Sequence, residues 1–433
     1  LLVNALYNIV DQIFIGQGVG YLGNGATNVI FPITVIAMAL ALMFGDGGAA
    51  YLSLKNGQGD KEQAEKGVCS SITMLIILSI FCFTFGLIFL EPIAKLFGAT
   101  AEILPYALDY GSIIIMGIPF VIISTGLNSI IRADGSPKTA MMSMLVGAVT
   151  NTILDPLFIF VLGWGVKGAA LATILGQILT LLISALYIPR FKTVKITLKK
   201  LIPDPKTVLT VASFGISSFI TQIAVTIAIF FINGTLVKYG AMSRYGANIP
   251  LTALGIVMKV NQILMSVIIG IGIGSQPIIG FNYGAGNLHR VRKTYFTAVT
   301  AATVVSVLGF LLFQFGQQPI IALFGSEEAL YNEFATRSFK TFLGVCFLNG
   351  AQISTGIFFQ AIGKPLKSTL ISMSRQIIFL IPSILLLPMI YGVDGALFAG
   401  PVADAAAFLV AMALILFEMK KMRKREKTFH EET

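Results

Sequence analysis

Charge is scarce in this 433-residue chain. Only 12% of its residues are Asp, Glu, Lys or Arg, against roughly 25% in a soluble domain, too few to cover a water-facing surface. Cysteine is rarer still: three residues, Cys69, Cys82 and Cys346, rule out a disulfide-built scaffold. The two histidines, His289 and His430, fall outside the apolar runs. No G-x-x-x-x-G-K-[ST] phosphate loop occurs, so neither an enzyme nor an ATP-driven pump is expected, and no cofactor. What the chain has in quantity is apolar residues, 56% of the total, and a mean hydropathy of +0.86. That composition excludes disorder and describes an integral membrane protein.

Twelve apolar runs follow one another: 1–17, 26–54, 67–90, 104–131, 139–162, 168–189, 207–237, 246–280, 294–316, 338–361, 366–390 and 395–418. A bilayer admits only helices or closed barrels, and a helical span needs about 20 residues. The expected fold is therefore an all-α membrane bundle of twelve spans. The first run is short and begins at Leu1 without Met, basic leader or cleavage site; it reads as a span whose upstream part is missing.

The net charge of +10 suggests nucleic acid until its placement is read. Of the 30 Lys and Arg, 22 fall on the even-numbered connections and the tail, for example Lys55, Lys61 and Lys66, or Arg290, Arg292 and Lys293. The odd-numbered connections hold four, Lys95, Lys167, Lys238 and Arg244. This bias puts the even connections and both termini in the cytoplasm, and makes the tail 419–433 a juxtamembrane basic stretch facing lipid rather than a nucleic-acid patch.

The chain also repeats itself. Gly57-Gln-Gly59-Asp60 resembles Gly284-Ala-Gly286-Asn287, and Glu91-Pro92…Phe97-Gly98 resembles Gln318-Pro319…Phe324-Gly325, both displaced by 227 positions. Gly135-Ser-Pro137 matches Gly363-Lys-Pro365 at 228, and Gly165-Val-Lys-Gly168-Ala169 matches Gly392-Val-Asp-Gly395-Ala396 at 227. Two six-span lobes follow, 1–189 and 207–418, joined by the basic linker 190–206. Six is an even number, so both lobes enter the membrane from the same side. Two-lobed carriers place substrate between the lobes and rock one against the other. A channel is the competing reading, but no filter-like loop is present.

Charge within a membrane is costly, so acids in the apolar runs are candidates for function. Asp11, Asp46, Asp155 and Asp404 stand out. Asp46 lies in Phe44-Gly-Asp-Gly-Gly48, where an irregular helix could satisfy it, and Asp404 lies in an Ala-rich run where it could make a packing hydrogen bond. Lys259 and Arg375 either reach an interface or neutralise an acid of the second lobe. Asp155 stands four residues after Asn151, on the same helix face. Pro156 has no N–H, which frees the carbonyl of Thr152. Carboxylate, amide oxygen and carbonyl then lie within one turn, an all-oxygen set suited to a hard cation; a proline kink with local hydrogen bonds is the plain alternative.

These residues carry a family resemblance. Asn4-Ala-Leu-Tyr7-Asn-Ile-Val-Asp11-Gln-Ile-Phe-Ile-Gly16 resembles the first helix of multidrug and toxic compound extrusion (MATE) transporters. Arg132-Ala-Asp-Gly135-Ser-Pro-Lys138, Asn151-Thr-Ile-Leu-Asp155-Pro-Leu-Phe-Ile-Phe160 and Gly165-Val-Lys-Gly168-Ala-Ala-Leu-Ala-Thr173 resemble that family's signature over helices 4 to 6. Gln276-Pro277…Tyr283-Gly284-Ala285 extends the likeness into the second lobe.

The closest resemblance is to the bacterial branch with its functional carboxylates in the first lobe. It implies a monovalent-cation site, for H⁺ or Na⁺, at Asp11, Asn151, Asp155 and Thr173, supported by hydrogen bonds from Tyr110 and Asn128. Asp46 and Asp404 are further cavity acids. A second branch uses acids in spans 7, 8 or 10, and this chain has none there. The function implied is export of drugs or toxic organic cations, driven by inward H⁺ or Na⁺, by a monomer in the inner membrane of a prokaryote. Desolvation would let Asp11 and Asp155 take up H⁺ from outside. A flippase for a lipid-linked glycan is the alternative, though it calls for a cationic cavity. A major-facilitator transporter also has six plus six spans, but its Gly…Asp-Arg…Gly-Arg-Arg signature is missing from the connection at 55–66.

Overall fold

The computed structural model describes Phe14 and residues 21–97, 99, 101–196, 198–323 and 329–432. Among them there is no strand. The helices are α1 (Tyr21–Gly57), α2 (Lys61–Leu96), α3 (Leu104–Ala133), α4 (Pro137–Pro156), α5 (Gly165–Ala185), α6 (Pro205–Ala241), α7 (Asn248–Gly284) and α8 (Leu288–Phe315). There follow α9 (Gln317–Leu323), α10 (Ala329–Phe342), α11 (Asn349–Ala361), α12 (Pro365–Met373), α13 (Ile381–Tyr391) and α14 (Val393–Glu432). Among the described residues, ten helical stretches are long and apolar enough to cross a membrane, and one further pair qualifies as a bent span. The first predicted span, 1–17, lies outside the described residues apart from Phe14.

The packing is that of a protein dissolved in lipid. Phe81, Phe85 and Phe89 stack along the outer face of α2, while Ser70, Ser71 and Ser79 of the same helix face inward. Small side chains let helices approach where no water drives them together. Gly45 of α1 meets Gly126 of α3 so closely that a Cβ would fall 2.7 Å from its Cα. Helix α3 is the most buried of the spans and packs on α1, α2 and α5.

The repeat is visible in the backbone. Six of the eight glycines with positive φ among the described residues fall in pairs: Gly59 (76°) and Gly286 (75°), Gly135 (84°) and Gly363 (70°), Gly165 (54°) and Gly392 (61°). Each ends a helix or starts the next in a conformation that costs glycine little. Asp60 accepts from the Gln63 N–H at 3.2 Å, and Asn287 from the Arg290 N–H at 3.2 Å, so both copies of that turn end in an N-cap.

Two compact units emerge, Leu1–Gln222 and Ile223–Thr433, and the division falls inside α6. The first half of α6 belongs with α1: a Cβ on Gly215 would lie 1.7 Å from the Met43 carbonyl oxygen. The basic connection 190–206 is bound to the first unit. Asp134 accepts from the Tyr187 hydroxyl (2.7 Å), the Lys192 and Thr193 N–H groups (2.8 and 2.9 Å) and the Thr193 hydroxyl (2.6 Å). Glu65 takes the Lys195 N–H at 3.1 Å and pairs with Lys200, a hydrogen bond that holds the Lys200 ammonium above its ordinary pKa.

Three boundaries differ from the hydropathy reading. The tenth span is not one helix from 338 to 361. It is α10 and, after a break near Gly344, a segment bent by 40°, the turn being closed by the Gly344 N–H on the Thr341 carbonyl at 3.0 Å. Helix α8 starts at Leu288, so Arg290, Arg292 and Lys293 sit in its opening turns rather than in a loop. Residues 419–432 continue α14, where Glu418 accepts from Lys367 at 2.8 Å and pairs with Lys364.

Candidate functional site

The first unit brings four of the sequence-predicted site residues together. Proline at 156 leaves one backbone acceptor without its helical donor, and the chain answers by widening: Leu157–Val161 is a π-helical segment continuing α4. Such bulges recur at functional sites. One turn before it, the Asn151 amide donates to Asp155 Oδ1 at 3.1 Å and to the Thr173 hydroxyl of α5 at 3.3 Å. Asp155 is fully buried and Asn151 nearly so. Asn151 Oδ1, also buried, has no hydrogen-bond partner among the described residues.

A cleft of about 40 Å³ opens beside these groups, walled by Asn128, Asn151, Thr173, Gly147, Gly176 and Gln177, among others. That is room for about three waters. Glycine makes the space: a Cβ on Gly147 would lie 2.0 Å from the Thr180 hydroxyl and 2.7 Å from the Gly176 carbonyl oxygen. Asn128 is fixed by the hydroxyls of Ser143 (2.8 Å) and Ser184 (3.4 Å), which donate to its Oδ1. No Lys or Arg lines the cleft. Its walls offer amide and hydroxyl oxygens, and the Asp155 carboxylate stands behind them, bonded to Asn151, the all-oxygen chemistry a hard monovalent cation favours. An orphaned amide oxygen next to a buried carboxylate fits such an ion.

The remaining candidates lie elsewhere. Asp11 is outside the described residues. Tyr110 packs with Phe14, Ile159, Val166 and Ala169 against the π-helical turn, and is not among the cleft's walls. Asp46 is buried away from the cleft, where it accepts from Ser129 (2.8 Å) and Ser218 (3.0 Å), with the Arg132 guanidinium 3.9 Å away. Asp404 is neutralised in the second unit, with Arg375 Nε at 2.6 Å, whereas Lys259 is exposed. Sequence reasoning did not find Gly147, Gly176 and Thr180, nor Ser143 and Ser184. Their signal is small residues facing one another on different helices, and that pairing exists only after folding.

The MatE family model matches residues 1–157 and 223–385, one block in each unit. Among curated proteins, the chain is 26% identical over 419 residues to the multidrug export protein MepA of Staphylococcus haemolyticus (strain JCSC1435), covering 96% of this chain and 90% of that protein. The Staphylococcus aureus (strain MRSA252) protein of the same name is 26% identical over 417 residues, with the same coverage. Among solved structures, the outward-facing conformation of a multidrug resistance MATE family transporter of the MOP superfamily superposes with a TM-score of 0.90 at 23% identity, over 97% of this chain and 93% of that one. A MOP superfamily transporter from Pyrococcus furiosus, whose binding pocket has reverse polarity, superposes at 0.89 and 24% identity, over 97% and 93%.

Proposed function

The chain belongs to the MatE family, and from that premise we propose that it exports amphipathic, often cationic, organic compounds in exchange for one inward-moving H⁺ or Na⁺ bound in the first lobe. The observation that carries this reading is the buried Asp155–Asn151–Thr173 chain beside a polar cleft without a basic side chain. The names of the staphylococcal relatives support the substrate class.

The residues divide the work. Asp155 supplies the charge that attracts the cation, and burial among α3, α4 and α5 raises the cost of leaving that charge uncompensated. Asn151 orients the carboxylate through its N–H and offers the free amide oxygen; Thr173 adds a hydroxyl oxygen. Asn128, held by two serines, keeps the far wall polar. A bound cation would neutralise Asp155, and Asp11 is expected to complete the set. For an uncharged substrate, one charge crossing 100 mV supplies about 2.3 kcal/mol, about fortyfold in concentration; for a monovalent cationic substrate the one-for-one exchange is electroneutral and is driven by the concentration gradient of the coupling ion. The loop bias in Lys and Arg supports cytoplasmic termini in a prokaryotic inner membrane.

A flippase for a lipid-linked glycan is disfavoured, because pyrophosphate recognition needs cationic walls. The test is ethidium efflux from cells with the Na⁺ and H⁺ gradients collapsed separately. One collapse should halt export; efflux indifferent to both would reject the reading.

A further inference from the structure

The second lobe has an ion pair where the first has its cleft. Arg375 stands ten positions after Pro365, as Gly147 stands ten after Pro137, and both prolines open their helices. Asp404 stands nine positions after Gly395, as Gln177 stands nine after Gly168. Gly147 and Gln177 both wall the first-lobe cleft. The helix pairs also correspond in packing: a side chain on Gly168 would strike the backbone of Phe158, and one on Gly395 the backbone of Leu387. A π-helical stretch follows α4 and another follows α12, Leu157–Val161 and Ser374–Leu380, though at different repeat positions.

At the second-lobe position Arg375 Nε donates to Asp404 Oδ1 at 2.6 Å, and the Asn349 amide donates to Oδ2 at 3.3 Å. The Asp404 side chain is 2% exposed. Both carboxylate oxygens are thereby satisfied. A guanidinium keeps its charge at every physiological pH, and being covalently attached it cannot exchange with solvent.

We propose that Arg375 is a tethered cation, standing in the second lobe where an exchangeable cation stands in the first, so that the protein couples to one cation per cycle rather than two. The inference rests on the first-lobe reading above. It assigns Arg375 a positioning role: it sets stoichiometry without touching the transported ion.

The test counts coupling cations in proteoliposomes. With the membrane potential clamped at zero and defined Na⁺ and pH gradients imposed, the ethidium gradient at which net flux vanishes gives the number. A tenfold cation gradient balances about a tenfold ethidium gradient for one cation and about a hundredfold gradient for two. The wild type should give one. Arg375→Gln, which leaves Asp404 without its fixed partner, should raise the number toward two, and Arg375→Gln/Asp404→Asn should return it to one. A wild-type value of two, or a folded Arg375→Gln protein that stays at one, overturns the proposal. Should Arg375→Gln alone fail to fold, the neutral double variant decides: equality with a wild-type value of one supports the tethered cation, and a lower value means that Asp404 carries an ion and overturns it. Asp155→Asn separates the two claims, since a stoichiometry it leaves unchanged rejects the first-lobe site, whatever Arg375 does.

Discussion

In the first lobe Asp155 lies beside Asn151 and Thr173 at a cleft with no basic wall, whereas in the second lobe Asp404 is clasped by Arg375 and Asn349. The two sites sit in one sequence repeat and a matching helix packing, yet in one the Asn151 amide oxygen has no partner among the described residues and the other is closed by a side chain. The lesson concerns charge compensation. A buried acid must be neutralised, and whether the neutralising group is mobile or tethered separates a coupling site from a structural one.

The largest effect on transport should come from substituting Asp155, set against the neutral double variant of the second lobe. Asp155→Asn keeps the volume and one carbonyl acceptor but removes the charge, and gradient-driven ethidium efflux should fall to the background of empty vesicles. Arg375→Gln/Asp404→Asn should leave gradient-driven efflux in place, because it removes both charges together.

Stability should reverse that order. Asp404→Asn leaves the partly buried Arg375 guanidinium, 21% exposed, without its carboxylate and should cost about 2–3 kcal/mol, less than a fully buried pair, read as a fall in the detergent melting temperature. Asp155→Asn strands no Lys or Arg of the cleft and should cost well under half as much.

Glycine substitutions sharpen the contrast. Gly147→Ala drives a methyl against the Thr180 hydroxyl and the Gly176 backbone, so it should cost about 1–3 kcal/mol and lower efflux by filling the cleft. Gly356→Ala meets only Ile371, at 3.8 Å, and should stay within about 1 kcal/mol of wild type, with efflux unchanged.

The smallest effect concerns the linker. Asp204 accepts from the Thr207 hydroxyl (2.7 Å) and N–H (3.0 Å), and these bonds, the hydroxyl first, hold its carboxyl below the ordinary value. Its contribution is complete above about pH 4 and is lost as the pH falls below that. A melting series between pH 3 and 6 should show this loss in the wild type and not in Asp204→Ala.

Much of this architecture is legible in residue order. Hydropathy marks the spans, and the paired loops at Gly59 and Gly286 announce the repeat, because a positive-φ turn demands glycine in both copies. The four-residue step from Asn151 to Asp155 exposes half of the candidate site. The break at Gly344 is harder to read, because no proline marks it and the apolar run continues across it. Arg375 posed a choice between lipid interface and buried acid that only its distance to Asp404 resolves. For Asp46 the sequence leaves a functional acid and one satisfied by an irregular helix both open; its bonds to Ser129 and Ser218 come from segments 83 and 172 residues away, which no local pattern encodes.

The central claim, that the first-lobe carboxylate carries the coupling charge, is tested most directly by ethidium flux in proteoliposomes under an imposed inward cation gradient, comparing wild type with Asp155→Asn at matched protein content and helicity. The account predicts gradient-dependent export in the wild type and none in the variant. Undiminished gradient-driven export by Asp155→Asn would contradict it.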